Sequence, residues 1–299
     1  MRPKVALVSA RAARHLDEDL APLVAALDAA GADAEVADWD DPSVDWAAFR
    51  VALLRSTWDY AERLTEFLAW TERIAMLTHL VNPPAVVRWN TDKHYLRELV
   101  RAGVPAVPTW FVEPGASAAH ALDGFLRQER AREWVVKPAV GAGSRDAARY
   151  ARGEERRATG HIERLLQADR SVLLQPYLEQ VDQQGETALI YFGGRFSHAV
   201  RKGPLLRPST GPTEALFAQE HITARTPTAE ELHVGAHVLA ALPFATPLYA
   251  RIDLIRSSDT RPCLLELELT EPSLFFAHAP GAARRLADQL CAQLPLLSR

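Results

Sequence analysis

A chain of 299 residues that is 48% hydrophobic and 24% charged has ample apolar material for a core and room for two or three folding units. Its formal charge of −4 argues against a general nucleic-acid surface. Two cysteines, Cys263 and Cys291, are too few for a disulfide framework or a cysteine-built zinc site and fit a reducing cytoplasm; no apolar run reaches the roughly 18 residues a membrane span needs, and the opening MRPKVALVSARAARHLDEDL has too short an apolar run for a secretory leader.

In chain order, KVALVSA (Lys4–Ala10) is a short apolar run suited to a buried parallel strand. Within Asp17–Ala30, Leu20, Leu23, Val24 and Leu27 recur at helical spacing, and Gly31 stops the helix. AEVADW and VALLRSTW read as strands, Leu64–Leu77 as an amphipathic helix, and HLVNPP closes the segment with Pro83 and Pro84 as punctuation. Residues 1–87 are therefore expected to form an open α/β sheet with a parallel core. In a second unit, 88–180, Asn90 or Thr91 can cap a helix that carries Lys93 and runs to Arg101, where Gly103 ends it. A strand at Thr109–Val112 and a helix within Ser117–Ala131 follow. EWVVKPAVGAGSRDAARYA reads as strand, glycine loop, strand; then come a helix over Glu155–Ala168 and the apolar strand SVLLQPYLE. The third unit, 181–299, opens with GETALIYFGGRFSHAVRKGP, where Gly193-Gly194 is a two-residue hairpin signal. A helix over Ala229–Ala241, the strand LYARIDLI, a strand within CLLELELTEPSLFF and an amphipathic helix over Gly281–Leu294 complete it. There is no internal repeat.

The alternation in CLLELELT puts Leu265, Leu267 and Leu269 on one strand face and Glu266 and Glu268 on the other. Residues two apart in a strand point the same way, roughly 6.6 Å apart, so the two carboxylates repel unless solvated or bridged by a cation. YARIDLI likewise places Arg251 and Asp253 on one face, and SSDTRP between the two strands is a turn-like link. Folded as a hairpin, the strands bring Asp253 opposite the glutamates. Three carboxylates beside an arginine are hard oxygen donors of the kind Mg²⁺ takes. A solvated face explains two glutamates alone about as well; Arg251 and Asp253 at this spacing favour the metal. Lys137 ends a buried strand, where a lysine is uncommon unless it meets an anion. Gly141, Gly143 and Ser144 offer backbone N–H groups to a phosphate, or form a plain turn; no GK[ST] follows, so this is not a Walker A loop. In LLRSTWDY, Arg55, Ser56, Thr57, Trp58, Asp59 and Tyr60 sit at the carboxyl end of a parallel strand, where ligands bind in open α/β sheets; the alternative is a helix start with a packed tryptophan. His198, Arg201 and Lys202 follow the hairpin as a carboxylate- or phosphate-binding group, or as an exposed basic loop. His94 is expected on a helix surface.

The order of these features carries more than any one of them. Lys93, Lys137 with its glycine loop, QPYLE, GE, RID and, thirteen residues after the aspartate, an acid pair spaced by one resemble the ATP-grasp superfamily on the branch of D-alanine–D-alanine ligase and prokaryotic glutathione synthetase. NTDKHYLRELVRAGVPAVPTW is similar to that family's DK…L…GIP.P segment, and the resemblance covers Trp89 to Ser273. It implies an ATP-grasp fold, α/β overall and α+β in the ATP-binding part. Residues 1–87 would be the preceding substrate-side α/β domain, 88–180 the central lid and 181–299 the metal-bearing domain. By the resemblance Lys93 and Lys137 contact ATP phosphates, and Gly141, Gly143 and Ser144 close over them. Gln175, Tyr177 and Leu178 form the adenine hinge, and Asp182 or Glu186 takes the ribose hydroxyls. Arg251 steadies the transferring phosphoryl group or the oxyanion, with Arg201 and Lys202 as further catalytic cations. Asp253, Glu266 and Glu268 hold one or two Mg²⁺ ions. Arg55, Thr57, Trp58, Asp59, His198 and Ser273 read the substrate. The last metal ligand is usually asparagine in the family, and Glu268 departs from that pattern.

The implied chemistry is an ADP-forming ligation through an acyl phosphate, in which the protein positions reactants and neutralises charge. RSTWDY on this body is also similar to a subgroup of cyclo-ligases of D-cycloserine biosynthesis, which close O-ureido-D-serine into a ring. A ligase joining two amino acids and a non-catalytic nucleotide-binding module are the alternatives. The expected partner is a small amino-acid-like molecule, with no nucleic acid and no membrane, in the cytoplasm; the oligomeric state stays open, a homodimer included.

Overall fold

The computed structural model describes residues 2–208, 211–212 and 221–294. Near the N-terminus, β1 (Lys4–Ser9), β2 (Asp33–Asp38), β3 (Val51–Ser56) and β4 (His79–Val81) pair in the order β2-β1-β3-β4, every pairing parallel. Such a sheet must be covered on both faces, which is why its strands are nearly unbroken apolar runs. Val5, Leu7, Val51 and Leu53 pack with Leu20, Leu23 and Leu27 of α1 (Leu20–Ala29). Ala6, Val8, Ala52 and Leu54 face Trp39, Phe67 and Trp70, the last two on α2 (Leu64–Ala75).

The middle of the chain departs from the expected element in one place. Pro84 does not end a segment but starts α3 (Pro84–Asn90), at a position where its missing N–H has no partner to lose. Asn90 is therefore the last residue of that helix and not the cap of the next. Its side chain is committed elsewhere: Nδ2 donates to Leu267 O at 2.8 Å and Oδ1 accepts from Leu269 N at 2.7 Å. Thr91 is the C-cap of α3, its N–H donating to Val87 O, and does not start the next helix. A turn intervenes, and Asp92 accepts the His94 N–H at 3.1 Å before α4 (Tyr95–Arg101) begins. Lys93 thus lies in a turn, not on a helix. β5 (Trp110–Val112), β6 (Glu133–Pro138), β7 (Ala148–Ala151) and β8 (Val172–Pro176) form an antiparallel sheet in the order β5-β8-β6-β7. Its covered face packs on α5 (Ala118–Glu129) and α6 (Glu155–Gln167) through Phe125, Leu126, Ile162 and Leu165.

After the short α7 (Gln180–Gln184), β9 (Glu186–Phe192), β10 (Arg195–Lys202), β11 (Ile222–Arg225), β12 (Tyr249–Arg256) and β13 (Pro262–Glu268) build a third sheet, antiparallel throughout, in the order β11-β10-β9-β12-β13. β9 and β10 are joined by Gly193 (φ 53°) and Gly194 (φ 74°), the pair of left-handed residues that a two-residue hairpin requires. α8 (Ala229–Ala240) starts with a capping box between Thr228 and Glu231. α9 (Ala282–Gln293) returns to the first sheet, where Leu286, Ala287 and Leu290 join the α1 core. Two stretches thus pack across the boundaries drawn from sequence: α9 on the first sheet, and Val86, Tyr95, Leu96 and Leu99 against β9, β12 and β13. Among the described residues no helix is long and apolar enough to cross a membrane.

Candidate active site

β12 and β13 pair with Asp253 directly opposite Glu266 and Arg251 opposite Glu268, the juxtaposition expected from the hairpin. The register then slips between Asp253 and Leu254, so that Leu264, not Leu265, pairs with Leu254. Leu265 is the extra residue of a β-bulge, which turns a side chain out of strict alternation. This corrects the expected three-leucine core face. Leu267 and Leu269 are buried in the core, whereas Leu265 lines a cavity and packs near Tyr177 and Leu178.

That cavity lies where the three sheets meet. Its floor is the charged face of β12 and β13: Arg251, Asp253, Glu266 and Glu268. Lys137 from β6, Lys202 from β10 and Lys93 from the turn before α4 come in over it. Every floor carboxylate meets a cation. Lys93 Nζ sits 3.0 Å from Glu266 and donates to Gly141 O at 2.9 Å; Lys137 Nζ is 3.9 Å from Glu266. Asp253 accepts from Arg251 Nε and Nη2 and from Lys202 Nζ, each at 2.9 Å, and Lys202 also pairs with Glu186 at 3.1 Å. Arg251 reaches Glu268 as well. Among the described residues no three carboxyl, imidazole or thiol groups converge on one point; the acids are spread over these pairs.

The charges are unequal in their consequences. Burial disfavours ionised Asp253, yet Arg251 and Lys202 outweigh it and hold the carboxyl below its ordinary value. Lys93 and Lys137 do the same for Glu266 against its burial. Glu268 goes the other way: burial, with Asp253 and Glu266 beside it, exceeds the help of Arg251 and raises its pKa. Burial also pushes the Lys137 ammonium down. Glu268 is therefore the least compensated of the three floor carboxylates, with two like charges beside it and Arg251 shared with Asp253.

Of the expected nucleotide residues, Lys93, Lys137, Gly141, Gly143, Ser144, Gln175, Tyr177, Leu178 and Glu186 all line this cavity. Gly143 has φ 60° and Ser144 follows in the same left-handed region, so the loop after β6 turns its backbone sharply at the cavity edge. Asp182 stands off from the lining: Arg149 donates to it from Nη1 at 3.2 Å and the Tyr177 hydroxyl donates at 2.5 Å, while the Arg149 guanidinium stacks 3.5 Å over the Tyr177 ring. Arg201 and Lys202 are adjacent on β10 and so point to opposite faces. Lys202 enters the cavity; Arg201 Nε donates to Gln184 O at 2.7 Å, outside it.

The expected substrate residues divide the same way. Trp58 and Ser273 line the cavity. Arg55, Thr57, Asp59 and His198 do not. Arg55, buried at 1% exposure, donates to Pro272 O at 2.9 Å and lies 3.6 Å from Asp19. Thr57 is wholly buried. Asp59 accepts from Trp39 Nε1 at 2.9 Å and faces Arg63. His198 Nε2 donates to Leu274 O at 2.8 Å. Asp19 accepts the N–H groups of Leu274, Phe275 and Phe276, so Arg55, Asp19 and His198 together pin the loop after β13. That loop carries a cavity residue the sequence reading passed over, Glu271. Opposite it stands Tyr60, also in the lining.

Comparison with known proteins supplies an independent line. The family model described as "D-cycloserine synthetase DcsG, N-terminal domain" matches residues 5–82. The cycloserine biosynthesis protein DcsG of Streptomyces lavendulae is 42% identical over 296 residues, 97% of this chain and 98% of that protein. A crystal structure of D-cycloserine synthetase DcsG superposes with a TM-score of 0.91 at 40% identity, covering 97% of this chain and 99% of that one. D-alanine–D-alanine ligase from Bacillus anthracis, solved with ATP, shares the fold at 16% identity, with a TM-score of 0.68 and coverage of 99% and 98%. Ligases of this fold have been solved with ATP, or with ADP and magnesium.

Proposed function

Because the chain belongs to the D-cycloserine synthetase family of ATP-grasp ligases, we propose that it spends ATP to close O-ureido-D-serine into the ring of D-cycloserine. The observation that carries this reading is the β12–β13 register, which sets Arg251, Asp253, Glu266 and Glu268 on one cavity wall under three lysines.

A carboxylate is a poor electrophile. Transfer of the γ-phosphoryl group turns it into an acyl phosphate; the oxygen-bound ureido nitrogen of the same molecule then attacks the carbonyl, gives up its proton and expels phosphate, and hydrolysis of the carbamoyl group left on that ring nitrogen releases carbon dioxide and ammonia to give D-cycloserine. Little covalent work falls to the protein; positioning and charge neutralisation do most of it. Lys93 and Lys137, which now neutralise Glu266, are placed to turn their ammonium groups to the phosphates of ATP. Gly141, Gly143 and Ser144 offer backbone N–H groups at the same edge, and Leu265, Tyr177 and Leu178 supply an apolar slot for the adenine ring. Arg251 and Lys202 lie where charge develops on the transferred group. The donor set fits Mg²⁺: three hard carboxylates share one wall, and Glu268, the least compensated of them, is a carboxyl that a divalent cation beside it would hold ionised. Asp253, Glu266 and Glu268 would hold the ion, which when bound neutralises the phosphate oxygens.

Incubating the purified chain with Mg-ATP and O-ureido-D-serine, with mass spectrometry of products, tests the proposal. ADP, inorganic phosphate and a cyclised product from one organic substrate are expected. AMP with pyrophosphate would overturn the acyl-phosphate route, and turnover only after a second amino acid is added would make the protein a two-substrate ligase.

A further inference from the structure

Glu271 follows the last metal-type carboxylate by three residues and projects from the loop after β13 into the same cavity. Its side chain is more than nine-tenths buried, at 7% exposure. Unlike Asp253, Glu266 and Glu268, it forms no ion pair among the described residues. Lys93, the lysine whose charge acts on it, is already committed to Glu266 and Gly141. What faces Glu271 is aromatic. The Tyr60 phenol stands beside the carboxyl, and Trp58 donates its Nε1 to the Glu271 carbonyl at 3.0 Å, which brings its ring to the same wall. A buried carboxyl aimed into a cavity without a counter-cation, flanked by two ring systems, lacks one thing, a positive charge.

We propose that Glu271, Trp58 and Tyr60 form the subsite for the positively charged amino group of the substrate. This rests on the reading of the substrate as an amino acid. An α-amino acid carries ammonium and carboxylate on one carbon, so the groups that read them must be close neighbours. Glu271 and Ser273 are two residues apart on one loop, and Arg251 Nη1 donates to Ser273 O at 3.3 Å. The ammonium held at Glu271 would thus leave the carboxylate toward Arg251 and the phosphoryl donor. Hydrated Mg²⁺ fits the β12–β13 floor better than a pocket walled by aromatic rings. Burial and the Glu268 charge raise the Glu271 carboxyl to about 8, the behaviour of an acid waiting for a cation.

The test pairs a variant with a change in the ligand. ADP release is measured for the wild type and Glu271→Gln with O-ureido-D-serine and with its desamino analogue, 3-(ureidooxy)propanoate, alongside Mg-ATP affinity by calorimetry. Removing the amino group from the substrate should raise the wild-type KM roughly ten- to hundredfold. Glu271→Gln should show a similar rise with the parent compound, almost no discrimination between the two compounds, and Mg-ATP binding within about twofold of wild type. Wild-type indifference to the amino group, a result that needs no variant to fold, would overturn the subsite, as would an unchanged KM in Glu271→Gln. Should the wild type ignore O-ureido-D-serine, ring closure falls, and calorimetry with D-alanine and a non-hydrolysable ATP analogue decides the subsite separately. Weaker D-alanine binding in Glu271→Gln upholds it; equal binding, or none to the wild type, sinks it.

Discussion

Arg55 and Arg251 each lie on a buried strand beside an aspartate, and the two regions use them in opposite ways. Arg55 ends a strand of the parallel sheet, leans on Asp19 and donates to the Pro272 carbonyl, so its charge is spent inside the protein. Arg251 lies mid-strand in the antiparallel sheet and opens onto the cavity with Asp253 and Glu268. A parallel strand is covered on both faces, so polar residues beyond its end turn into the adjoining loops. An antiparallel strand with one free face projects every second residue into the open space above it. The first sheet therefore helps hold the loop after β13, and the third sheet supplies the charged wall of the cavity.

This division can be broken by mutation, and the largest expected effect lies on the antiparallel side. Glu266→Gln should lower ADP formation by roughly a thousandfold while the melting temperature stays within a few degrees; full activity in a folded variant would remove Glu266 from the metal set. Arg55→Leu should do the reverse. It strands the buried Asp19 charge and should lower stability by about 3 kcal/mol in urea unfolding, with ATP affinity kept. A stable Arg55→Leu protein that fails to bind substrate would instead put Arg55 in the site.

Glu271 joins the two regions and sharpens the contrast through pH. Its folded pKa, about 8, stands above the ordinary 4.5, so the folded state holds the proton more tightly than the unfolded chain. The contribution to stability is then complete below about pH 4.5 and is lost as pH rises toward 8. Glu271→Gln should accordingly be more stable than wild type without ligands, the gap growing by on the order of 2 kcal/mol between pH 5 and pH 8.5 in paired melts. A gap that does not grow would place a cation on Glu271 in the free protein. Lys137→Ala should weaken Mg-ATP binding about tenfold by calorimetry, and an unchanged affinity would place Lys137 outside the phosphate site. Least affected should be Asp59→Asn, with kinetic constants within about twofold, because Asp59 serves Trp39 and Arg63.

Period-two alternation made the wall legible in sequence. RID and ELE on adjacent strands required only a tight link to come face to face, and the hairpin delivered them. Three features escaped for identifiable reasons. The bulge at Leu265 adds a residue without a sequence signal and breaks the leucine face. Arg201 and Lys202 look like one cationic group in sequence, yet neighbours in a strand point apart, and only Lys202 enters the cavity. Glu271 lies in a loop, and its aromatic partners stand more than 200 positions earlier, at Trp58 and Tyr60; no local pattern links such distant residues. The parallel sheet was readable as a sheet, but not the direction in which Arg55, Thr57 and Asp59 turn, because loops past strand ends have no period.

The packing of α9 on α1 bears on how the protein is made. Leu20, Leu23 and Leu27 of α1 share one core with Leu286 and Leu290 of α9, so a core begun in the first thirty residues is completed by residues near 290. During translation that core stays incomplete until residues 282–294 leave the ribosome, and contacts spanning so much sequence form late. A nascent chain stalled before α9 would leave bare the part of the α1 core that Leu286, Ala287 and Leu290 cover, the kind of surface that chaperones bind.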